Sequence, residues 1–369
     1  MTPGQIALRA LIVGFIISFA VITGFAYTTL LERKLLARLQ ARVGPNRAGY
    51  IPIPGRKGGR ERKLLGGFMQ PAADAVKLFF KEDPQPRMVD GPVYNLAPML
   101  AVIPAVVILA IIPWAGEINI FGSLFTPYFA IAPGLNVAVL FFLAITSISV
   151  YGIVLAGWAS NSKYAVLGGI RASAQMISYE LALGMTVLVP IMIADSMDLG
   201  TIVEAQRGGW FVFLQPIAAA VFFIGSLAEL QRAPFDLLEA EQELSAGFTV
   251  EYAGMRFGMF FLAEYMKMIS FSALTAVFFF GGYRGPFVDE FPALGILYIT
   301  LKIFLFLCLM IWIRASFPRF RYDQLMSFGW KVLLPISVLN FLITATFIVL
   351  QEEGIIGPMF DGFLRFIFG

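Results

Sequence analysis

The sequence predicts an all-α polytopic membrane protein, with about eight transmembrane helices in a single membrane domain spanning residues 1–369. Hydrophobic residues make up 59% of the chain and charged residues only 14%, whereas charged residues form about 25% of an ordinary soluble domain. Apolar stretches recur at lengths near the roughly 20 residues that a helix needs to cross a bilayer. The segments between them are too short to fold alone, so the backbone polar groups must be satisfied within helices.

Eight apolar stretches are the predicted transmembrane helices. They lie at about residues 8–31, 94–113, 134–157, 168–193, 211–230, 255–280, 292–313 and 331–350. The fourth is the most polar, since it carries Arg171, Gln175 and Glu180. The first is too long for the apolar core of a signal peptide and has no small-residue cleavage site, so we expect it to be retained.

The basic residues predict the orientation. Of the 27 Lys and Arg residues, 13 lie between Glu32 and Pro92, and none lies between Trp114 and Pro133. Cytoplasmic loops of membrane proteins are enriched in Lys and Arg. Alternate loops are then cytoplasmic, both termini lie outside, and the acidic loop at about 231–254 faces the cytoplasm. The basic insertion at 51–63 and the chain length favour a bacterial plasma (inner) membrane.

The first loop contains a predicted amphipathic helix at about residues 64–81. Apolar residues recur there at helical spacing, while Gln70, Asp74 and Lys77 fall largely on the other face. The stretch is too short and too polar to span a bilayer, and it suits a helix lying in the interface on the cytoplasmic side. Such a helix can border an opening for a lipid-soluble molecule.

Carboxylates are concentrated between residues 229 and 264. Seven of the 24 acidic residues lie in this window: Glu229, Asp236, Glu239, Glu241, Glu243, Glu251 and Glu264. Glu239 and Glu243 share a helical face, and carboxylates this close raise one another's pKa. A charged group within an apolar span costs about 2.5 kcal/mol or more, which marks it as a functional candidate. The pattern predicts a proton-exchanging row with Glu180, Glu229, Glu251 and Glu264 in or beside the membrane.

A purely structural role for the buried carboxylates is the alternative. Glu180 could pair with Arg171 or Lys267, and Glu264 lies three residues from Lys267, close enough for an ion pair. Such pairs would only hold helices together. The basic residues after the seventh span, among them Arg314, fit a cytoplasmic anchor and a docking or tunnel role equally well.

The residue content excludes several kinds of redox site on this chain. It has no histidine and one cysteine, Cys308. This excludes His-ligated haem, Cys-rich iron–sulfur and zinc sites, and intrachain disulfides. We therefore expect no metal or redox cofactor here, and any electron transfer must occur on a partner.

Five segments resemble the hallmark segments of one family, in its order and over nearly the full length. They read ERKLLARLQARVGPNRAG, GGFMQPAADAVKLFFKED, SNSKYAVLGGIRASAQMISYE, AELQRAPFDLLEAEQELSAGFTVEY and RASFPRFRYDQLM. The family is the NuoH-type membrane subunit of proton-pumping NADH:quinone oxidoreductase, respiratory complex I. The insertion IPIPGRKGGRERK departs from many members, as does Thr249, where Asn is common.

The resemblance implies a non-redox subunit that encloses much of the quinone tunnel and couples quinone reduction to proton translocation. It implies a charge relay of Glu180, Glu229, Glu239, Glu241, Glu243, Glu251 and Glu264. It implies a quinone-binding set of Glu32, Arg33, Gln70, Asp74, Lys77, Arg232, Phe235, Asp236 and Arg314. Quinone is the expected substrate. NADH, FMN and the iron–sulfur clusters are expected on partner subunits of the hydrophilic arm, beside other membrane subunits.

Three other functions remain open from sequence. A membrane-bound hydrogenase-type complex uses a related subunit without NADH. A stand-alone proton-coupled transporter would suit the buried carboxylates, but the chain shows no inverted repeat around a midplane site. A structural anchor would leave the cost of those carboxylates unexplained.

Overall fold

The computed structural model describes residues 3–46, 48, 67–120, 123–125, 128–236 and 247–353. The basic insertion at 51–63, the first residues of the predicted amphipathic helix and most of the acidic loop lie outside these ranges. So do three predicted relay residues: Glu239, Glu241 and Glu243. Their proposed roles are neither supported nor contradicted by the fold.

Within the described ranges the regular secondary structure is helical apart from one short hairpin and an isolated bridge between Ala115 and Phe129, which confirms the predicted all-α class. The helices are α1 Pro3–Leu39, α2 Gln70–Phe80, α3 Gly91–Val107, α4 Ala138–Ala159, α5 Lys163–Ala194, α6 Leu199–Ala205, α7 Phe211–Leu214, α8 Pro216–Glu229, α9 Gly254–Phe279, α10 Leu294–Ser316, α11 Tyr322–Phe328 and α12 Leu334–Glu352. Short 3₁₀ turns lie at Ile108–Ala110, Gln206–Gly208 and Gly247–Thr249, and a π-turn at Gly329–Leu333 joins α11 to α12. The hairpin pairs β1 Ile118–Ile120 with β2 Ser123–Phe125.

Seven helical stretches in the described part are long and apolar enough to cross a membrane. They are Leu11–Leu39, Gly91–Ala110, Ala138–Ala159, Lys163–Ala194, Gly254–Phe279, Leu294–Ser316 and Tyr322–Gln351. Several extend beyond the predicted spans, because helical hydrogen bonding continues past the point where the side chains become polar. Each of these seven overlaps one of the predicted stretches.

The remaining predicted span, residues 211–230, is divided in two. Helix α7 ends before Gln215, and Pro216 opens α8, since proline lacks the N–H that would continue a helix but fits its first turn. Helix α8 has 14 residues, about 21 Å at 1.5 Å per residue. It is shorter than the roughly 30 Å hydrocarbon layer. The side chain of Gln215 at the break accepts a hydrogen bond from Asn340 and donates one to Thr344, both on α12.

Helices α5 and α9 lie at the centre of the bundle. Helix α5 packs against α4, α8 and α12, and α9 packs against α3 and α10. Small residues permit the closest approach: a Cβ on Gly168 of α5 would lie 2.6 Å from the Cα of Gly247. Gly168 therefore allows the end of the acidic loop to pack closely against α5.

The amphipathic helix α2 begins later than predicted. A turn at residues 67–69 precedes it, where Gly67 has a φ of +93° that residues with a Cβ rarely adopt. None of its residues is buried. Its apolar side chains Val76, Phe79 and Phe80 are exposed. An uncovered apolar face on a short helix is what a position at the membrane interface requires.

Candidate functional site

Arg232 is the centre of a buried ion-pair cluster. It lies just after α8 and is only 4% exposed. One guanidinium nitrogen donates to both carboxylate oxygens of Glu32 at 2.8 Å, and its Nε lies 2.6 Å from Oε1 of Glu264. The guanidinium also lies over the ring of Tyr265, 4.5 Å from its centroid. Arg232 thus links α1 to α9 through two carboxylates.

These carboxylates keep Arg232 charged despite its burial. Burial by itself would lower the pKa of Arg232, but the charges of Glu264 and Glu32 outweigh it and hold the pKa well above its ordinary value. Arg314 of α10 forms a second ion pair with Glu32. Glu32 is therefore shared by two arginines, whereas Arg232 is shared by two carboxylates. The cluster holds four alternating charges.

The RAPFD segment, residues 232–236, continues from this cluster towards the C-terminal end of α10. Asp236 is buried and lies 3.3 Å from Arg319. Phe235 is buried against the rings of Tyr179, Phe320 and Phe328. The segment is held in place by Gln175 of α5, whose amide donates to the carbonyls of Ala228 and Phe235 at 2.8 and 2.9 Å.

A cavity of about 300 Å³ lies beside the Arg232 cluster, between α3, α4, α5, α8 and α9. Its charged lining residues are Glu229, Asp236, Glu264 and Lys267. Glu229 is 2% exposed, and neither of its carboxylate oxygens has a hydrogen-bond partner among the described residues. A buried unpaired carboxylate is costly unless water or a proton satisfies it. The cavity provides the space for that.

Glu180 lies on α5, where it contacts α4. On α4, Ser147 donates a hydrogen bond to Glu180, and Thr146 lies 3.4 Å from the same carboxylate oxygen. Lys267 of α9 donates to Ser149 of α4 at 2.6 Å. The charges of Glu229, Glu180 and Glu264 all act on Lys267. Two predicted relay carboxylates, Glu229 and Glu264, therefore line one cavity with this buried cation, and Glu180 acts on it from α5.

Glu251 lies apart from this group, at the start of α9. Its backbone carbonyl accepts a 2.6 Å hydrogen bond from the buried hydroxyl of Tyr94. Tyr94 stacks on Tyr252 with ring centroids 4.2 Å apart, and Arg256 lies over the Tyr94 ring. Burial raises the pKa of Tyr252, so this phenol stays protonated. Glu251 is half-buried at the edge of the site and does not line the cavity.

The predicted quinone-binding residues of the first loop form a separate group. Arg33 of α1 binds Asp74 of α2 at 2.7 Å, and Gln70 donates to the same carboxylate at 3.1 Å. The Arg33–Asp74 pair fixes the amphipathic helix against the end of α1. Lys77 is exposed on α2. Glu32 and Arg33 are adjacent, so the end of α1 joins this group to the Arg232 cluster.

The structure decides between the pairings that spacing left open. Glu264 pairs with Arg232, while Lys267 donates to Ser149 on the neighbouring helix. Arg171 lies over the ring of Tyr322, and Glu180 accepts its hydrogen bonds from α4. Spacing along one helix identified neighbours of these charges, but it could not show which side chains of other helices reach them.

Several contributing residues were not predicted. Thr146, Ser147 and Ser149 supply hydroxyl groups to Glu180 and Lys267. The signal was present: three hydroxyl residues within four positions of a strongly apolar stretch. Tyr265 contacts Arg232 and directly follows Glu264, but one aromatic residue among many carried no signal. Within the described ranges no cluster of His, Cys, Asp and Glu could hold a metal ion.

Comparison with known proteins identifies the family of the chain. The family model described as NADH dehydrogenase matches residues 12–345. The chain belongs to this family. Members with similar sequences are named as the H-type subunit of NADH-quinone oxidoreductase, which confirms the resemblance predicted from the five segments. One from Protochlamydia amoebophila is 47% identical over 325 residues, covering 88% of this chain and 93% of the relative.

Two further relatives show the same coverage. In Geobacter sulfurreducens, a protein named as the second H-type subunit of NADH-quinone oxidoreductase is 46% identical over 329 residues, 89% of this chain and 93% of the relative. In Rhizobium meliloti, a protein of the same name is 46% identical over 316 residues, 86% of this chain and 90% of the relative. The similarity to the family therefore includes all the helices that build the site.

Proposed function

We propose that this chain is the membrane subunit of an NADH-quinone oxidoreductase that encloses part of the quinone tunnel and couples quinone reduction to proton translocation. The names of its relatives support the assembly, in which partner subunits carry NADH, FMN and the iron–sulfur clusters. Their bacterial origin supports a plasma-membrane location, with the acidic loop on the cytoplasmic side and both termini outside. The buried charges of the described residues support the coupling role.

One observation carries the coupling proposal. Glu264 and Glu229 line one cavity, and Glu180 lies on α5, which packs against the helix that carries Glu229. Ionised groups inside a membrane protein are expensive and face cavities or pathways. A series of carboxylates around a space large enough for water can pass protons from one group to the next. A structural role would require each carboxylate to have a partner, but Glu229 has none among the described residues.

The cluster around Arg232 supplies the connection to the quinone. Reduction of a quinone to a quinol adds electrons to the head group and consumes an equal number of protons, which neighbouring groups must supply. When Glu264 takes up a proton, its attraction for Arg232 falls, and Arg232 is then held by Glu32 alone. When Glu264 is ionised, the two carboxylates share the arginine. Protonation of Glu264 therefore changes both the ion pairing of Arg232 and the charge at the edge of the cavity.

The tunnel mouth is proposed at the contact between α1 and α2. Arg33, Gln70 and Asp74 hold α2 against α1, and the apolar face of α2 is open to the membrane. A lipid-soluble quinone can approach such an opening from the bilayer. Glu32, Arg232 and Arg314 then lie inward of it, with Phe235 and Asp236 beside them. Lys77 stays a proposed member of the mouth.

The test is Glu264→Gln, which removes the ionisable group but keeps its size and its capacity to accept a hydrogen bond. We expect intact assembly, with quinone reductase activity and proton translocation both lowered at least about tenfold, as for loss of a proton-transfer group. Glu290→Gln is the matched control, since Glu290 is an exposed carboxylate in the loop before α10. Full proton translocation in assembled Glu264→Gln complex would exclude the relay role of Glu264.

A second measurement tests the assembly itself. The tagged chain is purified from membranes in mild detergent and assayed for flavin, iron and NADH:quinone reductase activity. We expect all three together. Iron and nickel with hydrogenase activity would place the chain in a hydrogenase-type complex instead, and purification of the chain alone with solute transport would refute both assemblies.

A further inference from the structure

Lys267 is the one group of the buried site that the coupling proposal leaves without a role. It lies in the middle of α9 and is only 6% exposed. Its ammonium donates to the hydroxyl of Ser149 at 2.6 Å, and Ser149 is itself fully buried and donates to the carbonyl of Thr146. A single hydroxyl satisfies one of the three donors of an ammonium. A charged lysine in this place needs a further source of stabilisation.

That source is the nearby carboxylates, of which Glu229 and Glu264 line the same cavity as Lys267. Glu180 on α5, Glu229 on α8 and Glu264 on its own helix all act electrostatically on Lys267, and Asp236 lies on the same cavity wall. The neighbouring lining residues of α3 and α4, Ala101 and Ser149, carry no ionisable group. Lys267 is therefore the cation that the inner carboxylates have in common.

Glu229 depends on this cation most. Glu264 has its own arginine at 2.6 Å, and Glu180 accepts hydrogen bonds from α4. Glu229 has neither an ion-pair partner nor a hydrogen-bond donor among the described residues. The field of Lys267 is what favours its ionised form, since burial favours the protonated one.

We propose that Lys267 is a positioning residue of the proton path: anchored by Ser149 at the cavity that Glu229 also lines, its ammonium stabilises the carboxylate form of Glu229, so that this group can release and take up a proton. This inference rests on the coupling proposal, and it names Lys267 as the group that controls the charge of Glu229. Lys267 need not transfer a proton itself. It sets the pH range over which Glu229 can do so.

The decisive variant is Lys267→Gln, which removes the charge but keeps an N–H donor for Ser149. Without the ammonium, Glu229 keeps its proton to a higher pH. The part of the activity–pH profile that requires ionised Glu229 therefore shifts upward by about one pH unit or more. NADH:quinone reductase activity and proton translocation are measured in membrane vesicles from acidic to alkaline pH and divided by the amount of assembled complex. A profile that superimposes on the parent's would overturn the proposal.

Lys302→Gln is the matched control. Lys302 is a lysine of α10 whose ammonium donates to the carbonyls of Phe280, Gly282 and Arg284, away from the carboxylates of the cavity. We expect a lower amount of complex but an unchanged profile. An equal shift of the activity–pH profile in both variants would show that the loss of any buried lysine has this effect. That result would also overturn the proposal.

An infrared measurement separates this inference from the coupling proposal. The carbonyl stretch of protonated carboxylic acids is followed against pH in parent, Glu229→Gln and Lys267→Gln complexes. We expect the band that Glu229→Gln removes to titrate at higher pH in Lys267→Gln. If the band titrates at higher pH in Lys267→Gln, but the Glu229→Gln complex still translocates protons, the coupling role of Glu229 fails and the influence of Lys267 stands. If Glu229→Gln stops translocation and the band does not move, only the role of Lys267 fails.

Discussion

Replacement of Arg232 by methionine tests the buried charge cluster most directly. Methionine fills a similar volume without a charge. It would leave Glu264 without its ion-pair partner, whereas Glu32 would keep Arg314. Removal of one member of a buried ion pair costs about 3–5 kcal/mol, because the remaining charge is buried and uncompensated. The side chain of Glu264 is 26% exposed and lines the cavity, so solvent replaces part of the lost contact and the cost should lie towards the lower end of this range.

The assay is the amount of assembled complex in membranes, together with its survival on heating in mild detergent. We expect Arg232→Met to lower both strongly. The double variant Arg232→Met/Glu264→Gln should recover part of the loss, about 0.5–3 kcal/mol for directly coupled residues, because it removes the uncompensated carboxylate as well. Arg232→Lys should lie between, since an ammonium cannot reproduce the planar contacts of a guanidinium.

Arg321→Met is the control for loss of an arginine. Arg321 lies 3.5 Å from Asp323 with both side chains largely exposed, and exposed pairs contribute between zero and about 1 kcal/mol. A stability of Arg232→Met equal to that of Arg321→Met would refute the buried cluster. A double variant less stable than Arg232→Met would refute the assignment of the cost to Glu264.

Two further predictions concern packing around α5. Gly168→Ala places a Cβ 2.6 Å from the Cα of Gly247 and should lower the content of complex in membranes by an overpacking cost of about 1–3 kcal/mol. Gly184→Ala on the same helix, with nothing within 4 Å, should not, and equal effects would contradict the close contact. Tyr179→Phe removes the 2.9 Å hydrogen bond to the carbonyl of Leu325, which should cost about 1–3 kcal/mol and lower the thermal midpoint of the complex. An unchanged midpoint would show that the carbonyl finds another donor.

The functional groups were predictable where the residue type alone carried the signal. A carboxylate within an apolar stretch is costly wherever it lies, so Glu180, Glu229 and Glu264 could be identified without a fold. The partners of these groups could not. Glu32 and Arg232 are 200 residues apart, and no local pattern brings one to the other. The same limit applies to Lys267: spacing favours a pair with Glu264 on its own helix, whereas its hydrogen bond is to Ser149 on another.

The helical class of this protein follows from the sequence by itself, because a backbone in hydrocarbon must satisfy its own hydrogen bonds and the apolar stretches have the length of a bilayer. The absence of histidine and the single cysteine likewise limited its chemistry before any fold was known. Only the tertiary structure decided that α8 is short, that one arginine joins two carboxylates of different helices, and that Glu229 faces a cavity. These features arise from packing between distant segments, where each charge is placed by the helices that surround it and not by its neighbours in sequence.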